Sequence, residues 1–291
     1  MKSSPIIKAF FVTFLWSTSW ILIKLGIDNI PPLLFAGMRY FIAFFVLFLI
    51  TYKHKPLTHI SKRGLYWASL YGLVLIALTQ GAQYVALSLL PTILVSLSLN
   101  AAPIMVALLG YVILKEKLVG LQWLGMGLYV IGILAYFYPF ALIEDWTFGL
   151  VVAGFLVAFN VCGTIIGRYV NLQDFAPASQ LTMIMIGVGS IILLGVGIMI
   201  EPWPIIGYQE VLILLWLGVI NTALAFTLWN QALTKITAVS ASLINSTMMI
   251  QIALMAWVFL QEDLSIRQWI SVLIVFLGVV LVQVFRQQNR S

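Results

Sequence analysis

The sequence repeats one ten-residue stretch: residues 114–123 read LKEKLVGLQW, and residues 260–269 read LQEDLSIRQW. The two stretches lie 146 residues apart. The same shift aligns 72–132 with 218–278 without a gap, and seventeen of the 61 aligned positions are identical. A repeat of this length predicts that the chain contains two copies of one structural module.

The informative identities are glycines and polar or aromatic residues, because apolar matches mean little in so apolar a chain. They are Gly72/Gly218, Ser96/Ser242, Glu116/Glu262, Gln122/Gln268, Trp123/Trp269 and Gly132/Gly278. We predict two domains of five helices each: a first half, residues 1–145, and a second half, residues 146–291.

The composition excludes a soluble protein. Hydrophobic residues make up 63% of the 291 residues and charged residues only 8%, whereas a soluble domain is about half apolar and a quarter charged. A disordered chain would be poor in apolar residues, and a transmembrane β-barrel would show short alternating segments. The single cysteine, Cys162, excludes a disulfide framework and a cysteine-rich metal site.

Ten apolar stretches are long enough to cross a bilayer as helices. A span needs about 20 apolar residues, and lipid does not tolerate unpaired backbone groups, so long apolar runs must be helical. The predicted spans are 6–24, 33–51, 65–87, 92–114, 119–137, 147–168, 178–199, 209–231, 237–260 and 267–285. The sequence therefore predicts an all-α polytopic membrane protein with short connections.

The charges predict that both termini are cytoplasmic. With the N-terminus inside, twelve of the fifteen Lys and Arg residues fall in cytoplasmic segments, two fall outside and Arg39 lies within a span, in agreement with the positive-inside rule. Five spans per half is an odd number, so the second half enters from the opposite side. The predicted architecture is two inverted five-helix repeats around a central cavity, a common build of secondary transporters.

Four pieces of the sequence carry a family resemblance. They are FLWSTSWILIKLGI at 14–27, FAGMRYFIA at 35–43, the pair VILKEKL at 112–118 and VFLQEDL at 258–264, and Pro103 in span four. Together with the repeat and the ten spans, they resemble the drug/metabolite transporter superfamily, in particular its EamA-type ten-helix members.

The resemblance covers the whole chain and implies a transporter of metabolites. It implies that spans one, three, four, six, eight and nine face the cavity, and that the other spans pack outside, with five and ten bridging the repeats. The family often has a proline in each half. Span nine carries Met249 where span four carries Pro103, so the two halves do not share a proline hinge.

Polar and aromatic residues at mid-depth mark the predicted substrate site, because polar groups inside a bilayer must pair or face a cavity. The predicted substrate-binding residues are Trp16, Ser19, Trp20, Gln80, Tyr84, Ser96, Asn100, Asn160, Thr164, Trp229, Asn230, Ser242, Asn245 and Ser246. Such an uncharged cavity with aromatic walls suits a small amphiphilic solute. The alternative is that the Ser, Thr and Asn side chains only hold helices together.

Four charged residues are predicted to have structural or gating roles: Lys24, Arg39, Glu116 and Glu262. Arg39 lies about 10 Å below the outer end of span two, so we expect it to snorkel outward or to meet a carbonyl. Glu116 and Glu262 end spans four and nine, where the helix dipole disfavours a carboxylate. We expect each to find a partner such as a neighbouring helix N-terminus and to tie the repeats together.

No Asp or Glu lies at the centre of a span, and both histidines lie in the loop after span two, which favours facilitated diffusion or exchange over proton coupling. Catalysis is excluded because no base accompanies a nucleophile and no metal-ligand cluster occurs at depth. We predict a secondary transporter that exports a small amphiphilic metabolite, such as an amino acid, by alternating access. The alternatives are an importer or exchanger of a similar solute, and then a channel or scaffold.

The expected partners are a small-molecule substrate and the lipid bilayer, with no nucleic acid, no cofactor and no metal. The loops are too short to form the basic face that nucleic acid needs. We expect a monomer or weak homodimer in a bacterial inner membrane, because the loops are short, lack glycosylation sequons and are accompanied by no targeting segment.

Overall fold

The computed structural model describes residues 5–54, 60–102, 104–105, 108, 120–138, 146–173, 175–233 and 244–288. Within these residues the chain forms ten helices and no strand. The helices are α1 (Pro5–Ile27), α2 (Pro32–His54), α3 (Lys62–Leu89), α4 (Thr92–Leu99), α5 (Gly120–Phe137), α6 (Thr147–Leu172), α7 (Ala178–Ile200), α8 (208–233), α9 (Met248–Phe259) and α10 (Ile266–Gln288). One helix lies in each predicted span, and the all-α polytopic fold class is therefore confirmed.

Seven of these helices are long and apolar enough, within the described residues, to cross a membrane: α1, α2, α3, α5, α6, α7 and α8. Large apolar side chains are exposed along them, including Phe45 at 55%, Ile131 at 57% and Phe155 at 54%. Exposed apolar surface on this scale is unusual for a soluble monomer and is expected where helices face lipid.

Proline and serine set where several helices begin. α2 begins at Pro32, α4 follows Pro91 and α7 follows Pro177. Proline is tolerated there because the first N–H groups of a helix have no intrahelical acceptor. α3 instead follows Ser61, whose Oγ accepts a hydrogen bond from the Gly64 N–H at 3.0 Å. The loop residues therefore fix the start of each of these spans.

α3 and α8 each contain a π-helical stretch at a comparable place in the repeat. The stretch covers Leu73–Gln80 in α3 and Trp216–Leu224 in α8, and the 146-residue shift moves the first onto 219–226. In each stretch a threonine hydroxyl donates to the carbonyl five residues earlier: Thr79 to Val74 and Thr222 to Leu217, both at 2.8 Å. π-helical turns are rare and frequently occur at functional sites.

The chain divides into two compact units, and each takes helices from both halves of the sequence. Unit 1 consists of 1–21, 90–148 and 227–291, and unit 2 consists of 22–89 and 149–226. The predicted boundary between the halves, their inverted orientation and the central cavity stay predictions.

In unit 1, α5 packs along α10 and α4 packs against α9. The shared core is mainly aliphatic, with buried side chains from all four helices: Ile93, Leu97, Tyr136, Met249, Ala253, Val272, Val275 and Val279. Spans five and ten, one from each half, are therefore direct neighbours.

Glycines allow α5 and α10 to approach closely. A Cβ atom at Gly132 would meet Val275 and the Ser271 carbonyl, and one at Gly278 would meet the carbonyl of Gly125 at 2.6 Å and the nitrogen of Tyr129 at 2.7 Å. Ser271 and Val275 lie 146 residues after Gly125 and Tyr129, so the two contacts are equivalent in the repeat. Later residues of α5 meet earlier residues of α10, which means that the two helices run antiparallel.

Gly278→Ala is expected to destabilise the protein by about 1–3 kcal/mol, because the new methyl group has to displace backbone. The matched control is Gly127→Ala on α5, where a Cβ atom would meet nothing within 4 Å. That change is expected to be neutral or to stabilise the helix by up to about 1 kcal/mol. Thermal unfolding of both purified variants checks the prediction, and equal midpoints would contradict it.

In unit 2, α7 packs along α2 and α3, and α2 also packs against the π-helical stretch of α8. Two glycines again make equivalent contacts. A Cβ atom at Gly72 would meet the carbonyl of Met185, and one at Gly218 would meet Ile42 and the carbonyl of Arg39. Met185 lies 146 residues after Arg39, so both units preserve the repeat in their backbone packing.

Candidate functional site

The two spans at the centre of unit 1 are interrupted at equivalent residues. α4 ends in a turn at Asn100 and Ala101, and helix resumes beyond it; α9 is preceded by a turn at Thr247. In each turn a backbone N–H bonds the carbonyl three residues back: Ala101 to Ser98 at 3.0 Å and Thr247 to Ile244 at 3.1 Å. Both pairs are related by the 146-residue shift, and discontinuous helices of this kind form the binding sites of many transporters.

Different side chains support the two interruptions. The Asn100 Nδ2 donates to the Ser96 carbonyl at 2.8 Å, whereas the Thr247 Oγ1 donates to the Ile244 carbonyl at 2.6 Å. Serine, threonine and asparagine compete in this way with the regular backbone bonds of a helix. The two halves thus reach the same backbone geometry with different chemistry.

The interruption of α4 also frees polar groups. Because the Ala101 N–H bonds Ser98, the Leu97 carbonyl lacks its regular helical donor, and the Tyr129 hydroxyl of α5 donates to it at 3.3 Å. The Ser96 Oγ is buried and has no hydrogen-bond partner among the described residues. A buried, unsatisfied hydroxyl one turn before an interrupted helix is an unusual feature and fits a contact with solute.

A polar seam joins α1 to α9 beside the second interruption. The Ser17 Oγ lies 2.8 Å from the Thr13 carbonyl and 3.0 Å from the Gln251 Oε1. The Gln251 Nε2 donates to the Thr247 Oγ1 at 3.1 Å and approaches the Thr13 Oγ1 at 3.5 Å. None of these four residues was among the site residues predicted from the sequence. Gln251 follows Thr247 by four positions, and Ser17 follows Thr13 by four, so the signal was a shared helical face.

Two tryptophans contact each other in the same unit. The ring centroids of Trp16 in α1 and Trp229 in α8 lie 5.2 Å apart with the planes tilted by 54°. Both side chains are half-buried. Trp229 packs on a small cluster of Ala9, Ala232 and Ile244. Half-buried tryptophans next to a polar seam provide an apolar wall of the kind predicted for the site.

Unit 2 contains a buried arginine instead. Arg39 is only 4% exposed; its Nε donates to the Thr222 Oγ1 at 3.0 Å and its Nη1 to the Tyr84 hydroxyl at 3.1 Å. The guanidinium also lies 5.3 Å from the centre of the Tyr40 ring, and the Tyr40 hydroxyl donates to the Gln80 Oε1 at 2.7 Å. The expectation that Arg39 snorkels outward is wrong, because two neighbouring helices supply hydroxyl groups and Tyr40 of its own helix supplies an aromatic face.

Two carboxylates cap the N-termini of α2 and α4. In unit 2 the Glu201 carboxylate accepts the N–H groups of Leu33 and Leu34, at 2.9 and 2.8 Å. In unit 1 the Glu262 carboxylate accepts those of Thr92 and Ile93, at 2.8 and 3.2 Å. Free N–H groups and the positive end of the dipole make a helix start favourable for an anion. Glu262 therefore pairs with the N-terminus of a neighbouring helix, the kind of partner predicted for it from its place at a helix end.

Lys24 makes the complementary contact at a helix end. Its Nζ donates to the carbonyl of Leu87, near the end of α3. A cation is favourable at a helix C-terminus, so the contact ties α1 to α3 within unit 2.

Glu262→Gln is expected to destabilise the protein by about 1–3 kcal/mol, because hydrogen bonds to a charged acceptor are stronger than those to a neutral one. Asp263→Asn is the matched control, since its side chain is exposed and adjacent in sequence. Thermal unfolding in detergent measures both. The assignment fails if the two variants lose the same stability.

The predicted substrate-binding residues differ in exposure. The buried ones are Ser19, Trp20, Tyr84, Ser96 and Ser246; the half-buried ones are Trp16, Gln80, Asn100, Asn160 and Trp229; the exposed ones are Thr164 and Asn245. Some hydroxyls bond their own helix, as Ser19 does with the Trp16 carbonyl and Thr164 with that of Asn160. Ser242, Glu116 and the side chain of Asn230 lie outside the described residues. The solute contacts of all the predicted substrate-binding residues, and the structural role of Glu116, stay predictions.

The comparisons with known proteins agree with this architecture. The model of the EamA-like transporter family matches residues 3–138 and again 146–284. The uncharacterized transporter YoaV of Bacillus subtilis (strain 168) is 27% identical over 278 residues, which cover 92% of each chain. A probable amino-acid metabolite efflux pump of Escherichia coli (strain K12) is 28% identical over 244 residues, 78% of this chain and 77% of that protein.

A solved crystal structure supports the fold alone. It superposes with a TM-score of 0.68 at 17% sequence identity, and the match covers 98% of this chain and 100% of the other. The two matches of the family model together take in nearly the whole sequence. The chain belongs to the EamA-like transporter family, which confirms the resemblance seen in its motifs.

Proposed function

We propose that the protein exports a small amphiphilic metabolite of the amino-acid type by alternating access. The observation that carries the proposal is the pair of equivalent interruptions in α4 and α9, which pack against each other in unit 1. Uncharged polar side chains lie at both interruptions, and Trp229, which contacts Trp16, packs beside Ile244 at the interruption of α9. This chemistry suits a solute with both polar and apolar parts. Relatives from Escherichia coli and Salmonella typhimurium are named probable amino-acid metabolite efflux pumps, which supports the substrate class and the direction.

Alternating access in this proposal depends on two inverted repeats. The antiparallel, equivalent contacts of Gly132 and Gly278 support that arrangement, because an inversion axis in the membrane plane relates α5 to an antiparallel α10. Rocking about such an axis would expose the same solute groups first to one side and then to the other. We further propose a bacterial inner membrane location with both termini cytoplasmic, on the charge distribution of the loops.

Counterflow in proteoliposomes tests the proposal. The purified protein is reconstituted, the vesicles are loaded with one unlabelled amino acid at a time, and the entry of trace labelled amino acid is followed. We expect at least one amino acid with an apolar side chain to give saturable entry that an internal solute accelerates. Entry that rises linearly with concentration and does not respond to internal solute would indicate a channel or scaffold and would overturn the proposal.

Direction is tested separately in cells. Strains that express the protein are loaded with a dipeptide of the counterflow substrate, and release of the free amino acid is measured. An exporter accelerates release and protects the cells from the excess amino acid. An importer, the second candidate, would instead raise the steady internal level of that amino acid.

A further inference from the structure

Arg39 is a buried cation without an acidic partner among the described residues. Its contacts there are the hydroxyls of Thr222 and Tyr84 and the ring of Tyr40. A guanidinium carries five N–H donors, and only the Nε and one Nη1 donor are used by these bonds. A charge at this depth is costly unless it is paired, and intramembrane charges are functional by default.

Three donors remain, one on Nη1 and two on Nη2, and no hydrogen bond to them occurs among the described residues. An Nη1 and an Nη2 hydrogen pointing the same way match the two oxygens of a carboxylate, which is the bidentate geometry that arginine recognises best. The partners already in place are neutral hydroxyls, so no strong ion pair has to break when an anion arrives. Neutral partners therefore hold the cation in position and leave its charge available.

The surrounding helices are irregular where they meet Arg39. Thr222 lies inside the π-helical stretch of α8, and Tyr84 lies just after that of α3. Gly218 brings the α8 backbone to within contact of the Arg39 carbonyl. π-helical turns reposition side chains relative to a regular helix, and here they place hydroxyls from both repeats on a single cation.

Only one of the two repeats carries an arginine at this position. The residue equivalent to Arg39 is Met185, whose backbone makes the equivalent contact with Gly72. The backbone packing therefore does not require an arginine, since methionine occupies the same packing position in the other half. This difference argues that the charge serves a ligand rather than the fold.

We propose that Arg39 binds the carboxylate of the transported solute. The proposal rests on the proposed function and deepens it, because it restricts the solute to compounds that carry a carboxylate, such as amino acids with a free α-carboxyl group. The carboxylate takes the remaining Nη1 and Nη2 donors of the guanidinium when the helices around α2 open. The Tyr40 ring and the Thr222 and Tyr84 hydroxyls keep the guanidinium oriented for that contact.

The test compares each amino acid with its amide, which keeps the amino group and the side chain but lacks the negative charge. L-Leucine and L-phenylalanine are measured against L-leucinamide and L-phenylalaninamide, by competition in counterflow and by thermal stabilisation of the purified full chain. Phenylacetate and phenylacetamide form a third pair without an amino group. The variants are Arg39→Gln, Arg39→Lys and Tyr84→Phe. The control is Arg63→Gln, which removes an exposed arginine bonded to the Tyr169 hydroxyl.

We expect the wild type to prefer the acid over its amide by at least about 10-fold, as for a charged hydrogen-bonded pair. Arg39→Gln should bring that ratio close to one, and Arg39→Lys should restore part of it. Tyr84→Phe should lower the ratio in part, because it removes a hydroxyl that orients the guanidinium, and Arg63→Gln should retain it. If Arg39→Gln retains the ratio, or weakens acid and amide equally together with the melting temperature, Arg39 is a structural tie and the proposal is wrong.

Failure of the proposed function gives a different result. If no amino acid exchanges but phenylacetate stabilises the wild type more than phenylacetamide does, and Arg39→Gln removes the difference, the anion site stands and amino-acid transport does not. If amides exchange as well as acids, transport stands and the anion site does not. If no probe exchanges or stabilises, both proposals are overturned.

Discussion

Asn100→Leu is expected to lower the rate of counterflow about 100-fold while the protein still folds and inserts. Asn100 is half-buried at the end of the first segment of α4, and its Nδ2 is held by the Ser96 carbonyl. That bond fixes the amide plane, and we expect the Oδ1 to accept a hydrogen bond from the solute. A leucine there would leave the polar group of the solute unpaired, and 100-fold corresponds to roughly 2.7 kcal/mol of lost stabilisation.

Ser98→Ala is the matched control for Asn100→Leu. Ser98 lies on the same helix, and its hydroxyl already bonds the Leu94 carbonyl at 2.9 Å. Counterflow should stay within about 2-fold of the wild type, because only a local hydrogen bond is lost. Near-normal exchange by Asn100→Leu, or an equal loss in both variants, would remove Asn100 from the solute pathway.

Gln251→Leu is expected to slow counterflow by roughly 10-fold, with a loss of stability near 1 kcal/mol, which is typical of a hydrogen bond between membrane helices. Gln251 connects Ser17 of α1 to Thr247, the residue at which α9 is interrupted. Without the amide, α9 loses its link to α1 at the point where its backbone departs from the regular helix. The effect on rate should therefore exceed the effect on stability.

A double-mutant cycle separates the seam from a general packing effect. Ser17→Ala removes the other end of the link, and the Ser17 hydroxyl also has the Thr13 carbonyl as an acceptor. If the two residues act through one contact, the double variant should be little slower than Gln251→Leu alone, because interacting residues are not additive. Fully additive losses in counterflow rate would contradict this interpretation.

The ten helices could be predicted because a bilayer restricts a long apolar run to helical structure. In lipid every backbone group must be paired, so an apolar run of this length has to be helical whatever its neighbours are. Pro32, Pro91 and Pro177 mark three helix starts for an equally local reason. Both features can be predicted from a residue and its nearest neighbours in the sequence, without knowledge of tertiary contacts.

Other features depend on partners that are distant in sequence. Glu201 could not be assigned to the N-terminus of α2, because 167 positions separate it from Leu34. Arg39 was given the wrong environment, since its partners Tyr84 and Thr222 come from two other helices. The π-helical stretches and the α1–α9 seam were missed because their pattern of apolar residues is the same as that of a regular helix.

The interruptions of α4 and α9 could be predicted from the sequence only in part. Pro103 marks span four in the sequence, whereas Met249 at the equivalent place marks nothing. The hydroxyl of Thr247 nevertheless bonds the Ile244 carbonyl and supports the same turn. The two repeats therefore share a backbone geometry that could not be predicted from the residue types alone.

Accessibility at position 245 tests alternating access most directly. Asn245 is exposed and lies two residues before the interruption of α9. The chain has one cysteine, Cys162. The variant Asn245→Cys, made together with Cys162→Ser, therefore carries a single thiol at position 245. Ser88→Cys, at the exposed end of α3, is the control that should react from one side only. We expect a membrane-impermeant maleimide to label position 245 from both sides of the membrane, and the counterflow substrate to slow labelling from at least one side. Labelling from one side only, at a rate that the substrate leaves unchanged, would contradict a carrier that alternates around these interrupted helices.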